Sequence, residues 1–179
     1  MQSWALAGTL PPMNDLTLID INEIQFAQWQ APHFRPINKF YKSQKHKGKA
    51  NGSDLVFYAF RMVHQEPEIL GAVRLAPSDS GDKAINDSDS QTRYFWLRSL
   101  YIHEALRGKQ IGSKLLEAVH NALPTSSIYC FPYDHLQSFY GRAGYRLMEG
   151  DSLPEALSDL FDRYVERGEK ILAMGKEPS

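Results

Sequence analysis

The chain has 179 residues with 42% hydrophobic content, enough for one substantial core, and is expected to form a single domain over 1–179. With 20 Lys and Arg against 21 Asp and Glu, its formal charge of −1 offers no whole-chain argument for binding nucleic acid or an acidic membrane. The single cysteine, Cys130, excludes an intrachain disulfide framework and a cysteine-rich zinc site. No apolar run reaches the length of a membrane span, and the N-terminus lacks a basic region followed by an apolar one, so a soluble cytoplasmic protein is the expectation.

Residues 1–14, with Trp4 and the pair Pro11-Pro12, read as an irregular lead-in. Leu16 to Ile21 is a short β-prone run. Asp20 and Glu23 then have the spacing of a capping box, which predicts a helix to about Gln30 that Pro32 and Pro36 bring to an end. From Lys39 to Lys49 the chain concentrates five lysines and His46, either as an anion-binding patch or, as charge runs usually are, as a solvated helix end and loop. Leu55 to Val63 and Ile69 to Leu75 read as a hairpin around the polar turn Gln65 to Glu68. Residues 77–91 are rich in Ser, Asp and Gly, lack periodicity and are expected to form a mobile loop.

The segment Tyr94 to Leu123 carries the strongest signal. Tyr94 to Ile102 is almost wholly aromatic or aliphatic, as a strand covered on both faces requires. Ile111, Leu115, Leu116, Val119 and Leu123 then recur as a helical stripe. Between the two lies RGKQIGS, where Gly108 and Gly112 permit close backbone approach and the unpaired amides of a starting helix face an anion. The spacing fits neither a Walker loop nor the three-glycine dinucleotide fingerprint. Further on, Ser127 to Phe131 forms a short strand, Leu136 to Tyr140 a short helix with Gly144 as its left-handed cap, and Tyr145 to Met148 a strand. A helix from Pro154 and Glu155 runs to near Gly168, and Ile171 to Met174 makes a last strand. Alternating strands and helices around the centre indicate an α/β fold.

LYIHEALRGKQIGSKLL resembles the acyl-CoA signature of the GNAT superfamily of N-acetyltransferases, Arg/Gln-x-x-Gly-x-Gly/Ala after a strand and before a helix. Arg107 and Gly112 match its ends, and Gln110 stands where the middle glycine is usual. FYGRAGY, around Tyr140, resembles the C-terminal element of the same family, and the two motifs occur in the expected order. The resemblance covers about Asp54 to Tyr145. It implies a single α/β (α+β) domain whose central mixed, mostly antiparallel twisted sheet is flanked by helices, with a splayed strand pair that holds acyl-CoA.

Transfer of an acyl group from a thioester to an amine needs a neutral amine, stabilisation of an oxyanion and a proton for the departing thiolate. The resemblance implies that main-chain groups of Leu100, Tyr101 and Ile102 meet the pantetheine arm and thioester carbonyl of acetyl-CoA. Arg107, Gly108, Lys109, Gln110, Ile111, Gly112 and Ser113 are expected to hold its pyrophosphate. Tyr140 is the expected general acid, since a phenol stays protonated at neutral pH and can donate to sulfur.

No base is evident. Where many relatives carry a carboxylate, the central strand offers Arg98 and Ser99. His103, Glu104, Asp134 and His135 lie near one motif or the other, but read more simply as solvated loop residues or local caps. No metal is expected, since His135 has no partner at metal-site spacing. Cys130, in the apolar IYCF, reads as an inert core thiol rather than the nucleophile of a covalent acyl-enzyme.

The resulting expectation is an N-acyltransferase that moves an acetyl group directly from acetyl-CoA to a primary amine of a small molecule or peptide. Its alternative is a non-catalytic acyl-CoA sensor or interaction module on the same fold. His33 to Phe40 and the loop before the central strand are candidate acceptor walls. Homodimers are frequent in the family it resembles, and no sequence feature fixes an interface.

Overall fold

In the computed structural model, which describes residues 16–30, 32–77 and 94–178, the hairpin is tighter than its sequence suggests. Strands β2 (Leu55–Val63) and β3 (Glu66–Pro77) are joined by His64-Gln65 alone, at φ of 50° and 69°. Two successive positive φ values match the right-handed twist of the strands they connect. The pairing therefore runs up to Val63 opposite Glu66, and Arg61 faces Glu68 with a 2.6 Å ion pair across the strands.

Strand β4 (Tyr94–Ile102) adds antiparallel to β3, and helix α2 (Ile111–Ala122) carries the chain over the sheet to β5 (Ser127–Cys130), which lies parallel to β4. With β1 (Gln25–Gln28), β6 (Arg146–Leu147) and β7 (Met174–Lys176), the seven strands form one sheet in the order β1-β2-β3-β4-β5-β7-β6. Every neighbouring pair except β4 and β5 is antiparallel. The mixed, mostly antiparallel sheet flanked by helices is the one expected.

Strand alternation sends side chains to two opposed layers. Phe57, Val73, Leu75, Phe95 and Leu97 meet Leu115, Leu116 and Val119 of α2, together with Tyr140 of helix α3 (Gln137–Arg142). On the other face, Val56 and Ala72 pack with Ile37, Phe40 and Tyr41 of helix α1 (Arg35–Ser43). Trp96 and Tyr129 there pack with Leu157 of helix α4 (Glu155–Glu166). Leu115 is fully buried, and Leu115→Ala is expected to cost about 2–5 kcal/mol by opening a cavity under the sheet.

Several boundaries differ from the sequence reading. The predicted strand Leu16 to Ile21 is instead part of two 3-10 turns, Leu16–Leu18 and Ile21–Glu23. Asp20 does cap, accepting the Asn22 N–H at 2.9 Å, but it caps one turn only. The predicted helix to Gln30 is replaced by β1, because Gln25 to Gln28 complete the ladder of β2 and so satisfy backbone groups that a short isolated helix could not reward. Pro36, expected to break structure, sits in the first turn of α1, where a missing N–H costs nothing. The last strand begins at Met174 rather than Ile171, which forms only an isolated bridge to Tyr133. The lead-in 1–14 and the expected loop 77–91 lie outside the described residues, except that Pro77 belongs to β3.

Candidate active site

Strands β4 and β5 stay together for only four residue pairs, from Tyr94 opposite Ser127 to Leu97 opposite Cys130. Beyond Leu97, β4 continues for five residues with β3 on one side and, among the described residues, no strand on the other. Its ladder with β3 is interrupted by an extra residue, with Ser99 at φ 53°. The bulge is held from behind. The Tyr41 hydroxyl donates to the Ser99 carbonyl at 2.9 Å, and Arg74 Nε donates to Ser99 Oγ at 3.1 Å. Arg74 also pairs with Asp54 at 3.2 Å and donates to the Lys49 carbonyl. Leu100, Tyr101 and Ile102 thus lie on a strand edge that β5 has left.

At the other end of this edge, α2 begins. The Lys114 N–H bonds the Gln110 carbonyl at 3.1 Å, so the amides of Ile111, Gly112 and Ser113 precede the first intrahelical bond. Gln110, at φ 62°, supplies no side-chain cap. A Cβ on Gly112 would stand 3.2 Å from Phe139 Cζ, so glycine lets α2 approach α3. A cavity of about 770 Å³ runs along α2 from Gln110 and Ser113 to Leu123, lined by the cations Lys114, Arg142 and Lys176 and by the carboxylates Glu117 and Glu177. The cations expected to grip an anion are engaged elsewhere. Lys109 Nζ donates to the Thr17 carbonyl at 2.9 Å, while Arg107 Nε donates to the Ile102 carbonyl and its guanidinium lies 5.0 Å from the centre of the Tyr101 ring. Ile111 is buried, leaving its amide as its available polar group.

Where β4 and β5 part, a cleft of about 290 Å³ is lined by Trp96, Arg98 and Ser99 on one side and Phe131, Tyr133, Tyr164 and Glu169 on the other. Tyr140 and Cys130 line the same cleft. Burial, and then the neighbouring Cys130, push the Tyr140 phenol far above its ordinary range, so it is a proton donor throughout neutral pH. Burial likewise raises Cys130, which stays a thiol. Arg98 is half-buried, stacks 4.1 Å over Trp96 and has no carboxylate partner among the described residues. Burial first, and then Arg74, lower its affinity for a proton.

The other sequence candidates fall outside this cleft. Asp134 and His135 are exposed and bond one another at the surface. His103 caps a 3-10 turn by accepting the Ala105 N–H and, with Glu104 and Arg107, faces a separate cavity against α1. Sequence reasoning missed Tyr164 and Glu169, brought in by α4 and the segment after it, and His46, which also lines the cleft. His46 is hidden in a lysine-rich run; the glycine two residues on was the only local sign of a close approach.

Among the described residues no helix is long and apolar enough to cross a membrane, and no group of three His, Cys, Asp or Glu could hold a metal. No curated protein matches the sequence. Solved structures share the fold at low identity. Naa50 of Arabidopsis thaliana in complex with the bisubstrate analogue CoA-Ac-MVNAL aligns at a TM-score of 0.57 and 12% identity, covering 87% of this chain and 99% of its own. NAA60 of the same plant, in complex with acetyl-CoA, gives 0.55 and 13%, covering 85% and 96%. A GNAT-family acetyltransferase of Staphylococcus aureus gives 0.52 and 16%, covering 87% and 99%. The family profile described as an acetyltransferase (GNAT) domain matches residues 55–147, from the start of β2 to the end of β6. That span is more than half of the chain and contains the parted strands, the opening of α2 and Tyr140, and it places the chain in the GNAT acetyltransferase family.

Proposed function

We propose that the chain is an acetyl-CoA-dependent N-acetyltransferase that transfers the acetyl group directly to a primary amine. The observation that carries this reading is the meeting, at one opening in the sheet, of a free β4 edge and a buried phenol. The residues present fit acetyl-CoA: the β4 edge that β5 has left suits its arm, and the helix-start amide of Ser113 with Lys114, Arg142 and Lys176, set against Glu117 and Glu177, suits its phosphates. Bound acetyl-CoA supplies an acyl carbon activated by its thiol leaving group. The amides of the β4 edge orient the thioester and stabilise negative charge on its oxygen. Tyr140 then donates its proton to the departing sulfur. Cys130, held as a buried thiol, takes no part as nucleophile.

The acceptor side of the cleft favours an amine that also carries an anionic group. Arg98 presents a half-buried guanidinium fixed on the Trp96 face, and a carboxylate or phosphate would supply a partner that the described residues do not. That an analogue of a peptide occupies the related Naa50 fold keeps peptide N-termini in the acceptor panel.

Thiol release from acetyl-CoA is followed over amino acids, their carboxamides, polyamines and short peptides. Acceptor-stimulated release is expected, with amino acids preferred over their carboxamides. Tight binding of acetyl-CoA without stimulated release would instead make the chain an acyl-CoA sensor. Tyr140→Phe is expected to bind acetyl-CoA as before while kcat falls about 100-fold or more; an unchanged kcat removes Tyr140 as the acid.

A further inference from the structure

The acyl-transfer reading leaves the amine to be deprotonated, and the structure contains one buried side-chain polar atom with no hydrogen-bond partner among the described residues, Nε2 of His46. An orphaned buried nitrogen is costly and calls for an explanation. Its ring is held firmly, stacked on Tyr101 with centroids 5.0 Å apart and tilted against Tyr41 at 5.2 Å, while its backbone N–H bonds the Tyr41 carbonyl. His46 also lines the cleft that contains Tyr140. Gly48 packs against the nitrogen: a Cβ there would lie 2.5 Å from His46 Nε2 and 2.5 Å from Ser99 Oγ, so only glycine lets the chain close over the ring beside the β4 bulge.

We propose that His46 is the general base of the reaction, its Nε2 taking the proton from the acceptor ammonium at the β4 bulge. This rests on the acyl-transfer reading. The proton balance closes. His46 removes one proton from the ammonium, the nitrogen lone pair forms the C–N bond, the C–S bond breaks, and Tyr140 protonates the thiolate. The amine's remaining excess proton leaves as the amide forms, and the phenolate regains a proton; the net proton released passes to solvent.

The groups around the ring agree with this role. Arg74 and its partner Asp54 lie behind Ser99, Tyr41 and Tyr101 flank the ring, Lys45, Lys47 and Lys49 share its loop, and Arg98, Tyr164 and Glu169 face the cleft. Burial first, and then the Arg74 charge, lower the imidazole from its ordinary value, so it is neutral and ready to accept at pH 7. Glu169, an exposed carboxylate across the cleft, is the rival base.

The test uses the full chain, acetyl-CoA and the best amine of the panel, with basal acetyl-CoA hydrolysis as a second readout. In the wild type, kcat falls on an acidic limb below pH 6.5. His46→Gln is expected to lower kcat about 100-fold, leave acetyl-CoA affinity unchanged and abolish that limb. His46→Ala regains activity with added imidazole, which a structural role would not produce. Gly48→Ala, whose methyl must displace the imidazole, is expected to lower kcat as well, and urea midpoints near that of the wild type in His46→Gln separate loss of the base from a folding defect. A limb that survives in His46→Gln, or one that vanishes only in Glu169→Gln, overturns the assignment. A wild type that binds acetyl-CoA yet releases no thiol with any amine overturns the acyl-transfer reading itself, and the base with it.

Discussion

Gln110 shows how a single position departs from its family pattern and what the departure does. It is the N-terminal cap of α2 yet holds φ 62°, a conformation that costs an L-residue about 1–2 kcal/mol and glycine almost nothing. The middle glycine of the signature is therefore a backbone requirement at this site as much as a matter of space. Gln110→Gly is expected to raise stability by about 1 kcal/mol, read as a shift of the urea midpoint at constant slope. Arg107 and Lys109 carry a different lesson. Their sequence position predicts an anion grip, but long side chains go where partners are, and the Thr17 and Ile102 carbonyls claim them. Cys130 was legible from its apolar neighbours alone. Cys130→Ala is expected to retain kcat, and the native thiol to resist alkylation until the chain unfolds.

At the scale of elements, β4, α2 and β5 could be read from the sequence almost to their ends, because their apolar periodicity is strong and local. Residues 16–30 could not. Asp20 and Glu23 have helix-start spacing, and only the distant β2, whose free edge needed pairing, decided for a strand. The bulge in β4 was equally invisible, since it depends on Arg74 and Asp54, residues of other segments that are 5% and 1% exposed. Removing one member of such a buried pair strands the other charge. Asp54→Ala is expected to cost about 3–5 kcal/mol in denaturant unfolding, and the double change Arg74→Met with Asp54→Leu distinctly less than the two single changes together. Loss of cleft geometry should accompany the single change, because Arg74 also holds Ser99.

Across the whole molecule, the fold was legible because its motifs are contiguous in sequence, and the proposed acid, Tyr140, belongs to one of them. The proposed acceptor side was not: His46 precedes β2, Arg98 lies on β4, and Tyr164 and Glu169 come from the far end of the chain, and no spacing rule links three segments that only the sheet brings together. Stability has its own pH signature in this assembly. His120, bonded to the Tyr145 hydroxyl at 3.1 Å, is lowered to about 4 by burial and then by Lys176. The unfolded chain, with an ordinary histidine near 6.5, binds more protons between these values, so folding weakens as pH drops below 6.5 and this loss levels off near 4. Thermal midpoints measured from pH 7 to pH 4 are expected to fall less steeply in His120→Gln.

The parting of β4 and β5 turns the sheet into a partition with a slit. The cavity beside the opening of α2 lies on one side of that partition, and the cleft walled by His46, Arg98 and Tyr164 opens on the other. In the proposed reaction donor and acceptor then have separate doors, and each product leaves by the door its precursor used. Initial-rate kinetics are accordingly expected to give intersecting lines, with free CoA competing against acetyl-CoA but not against the amine. Parallel lines would mean that the two sides are never occupied together.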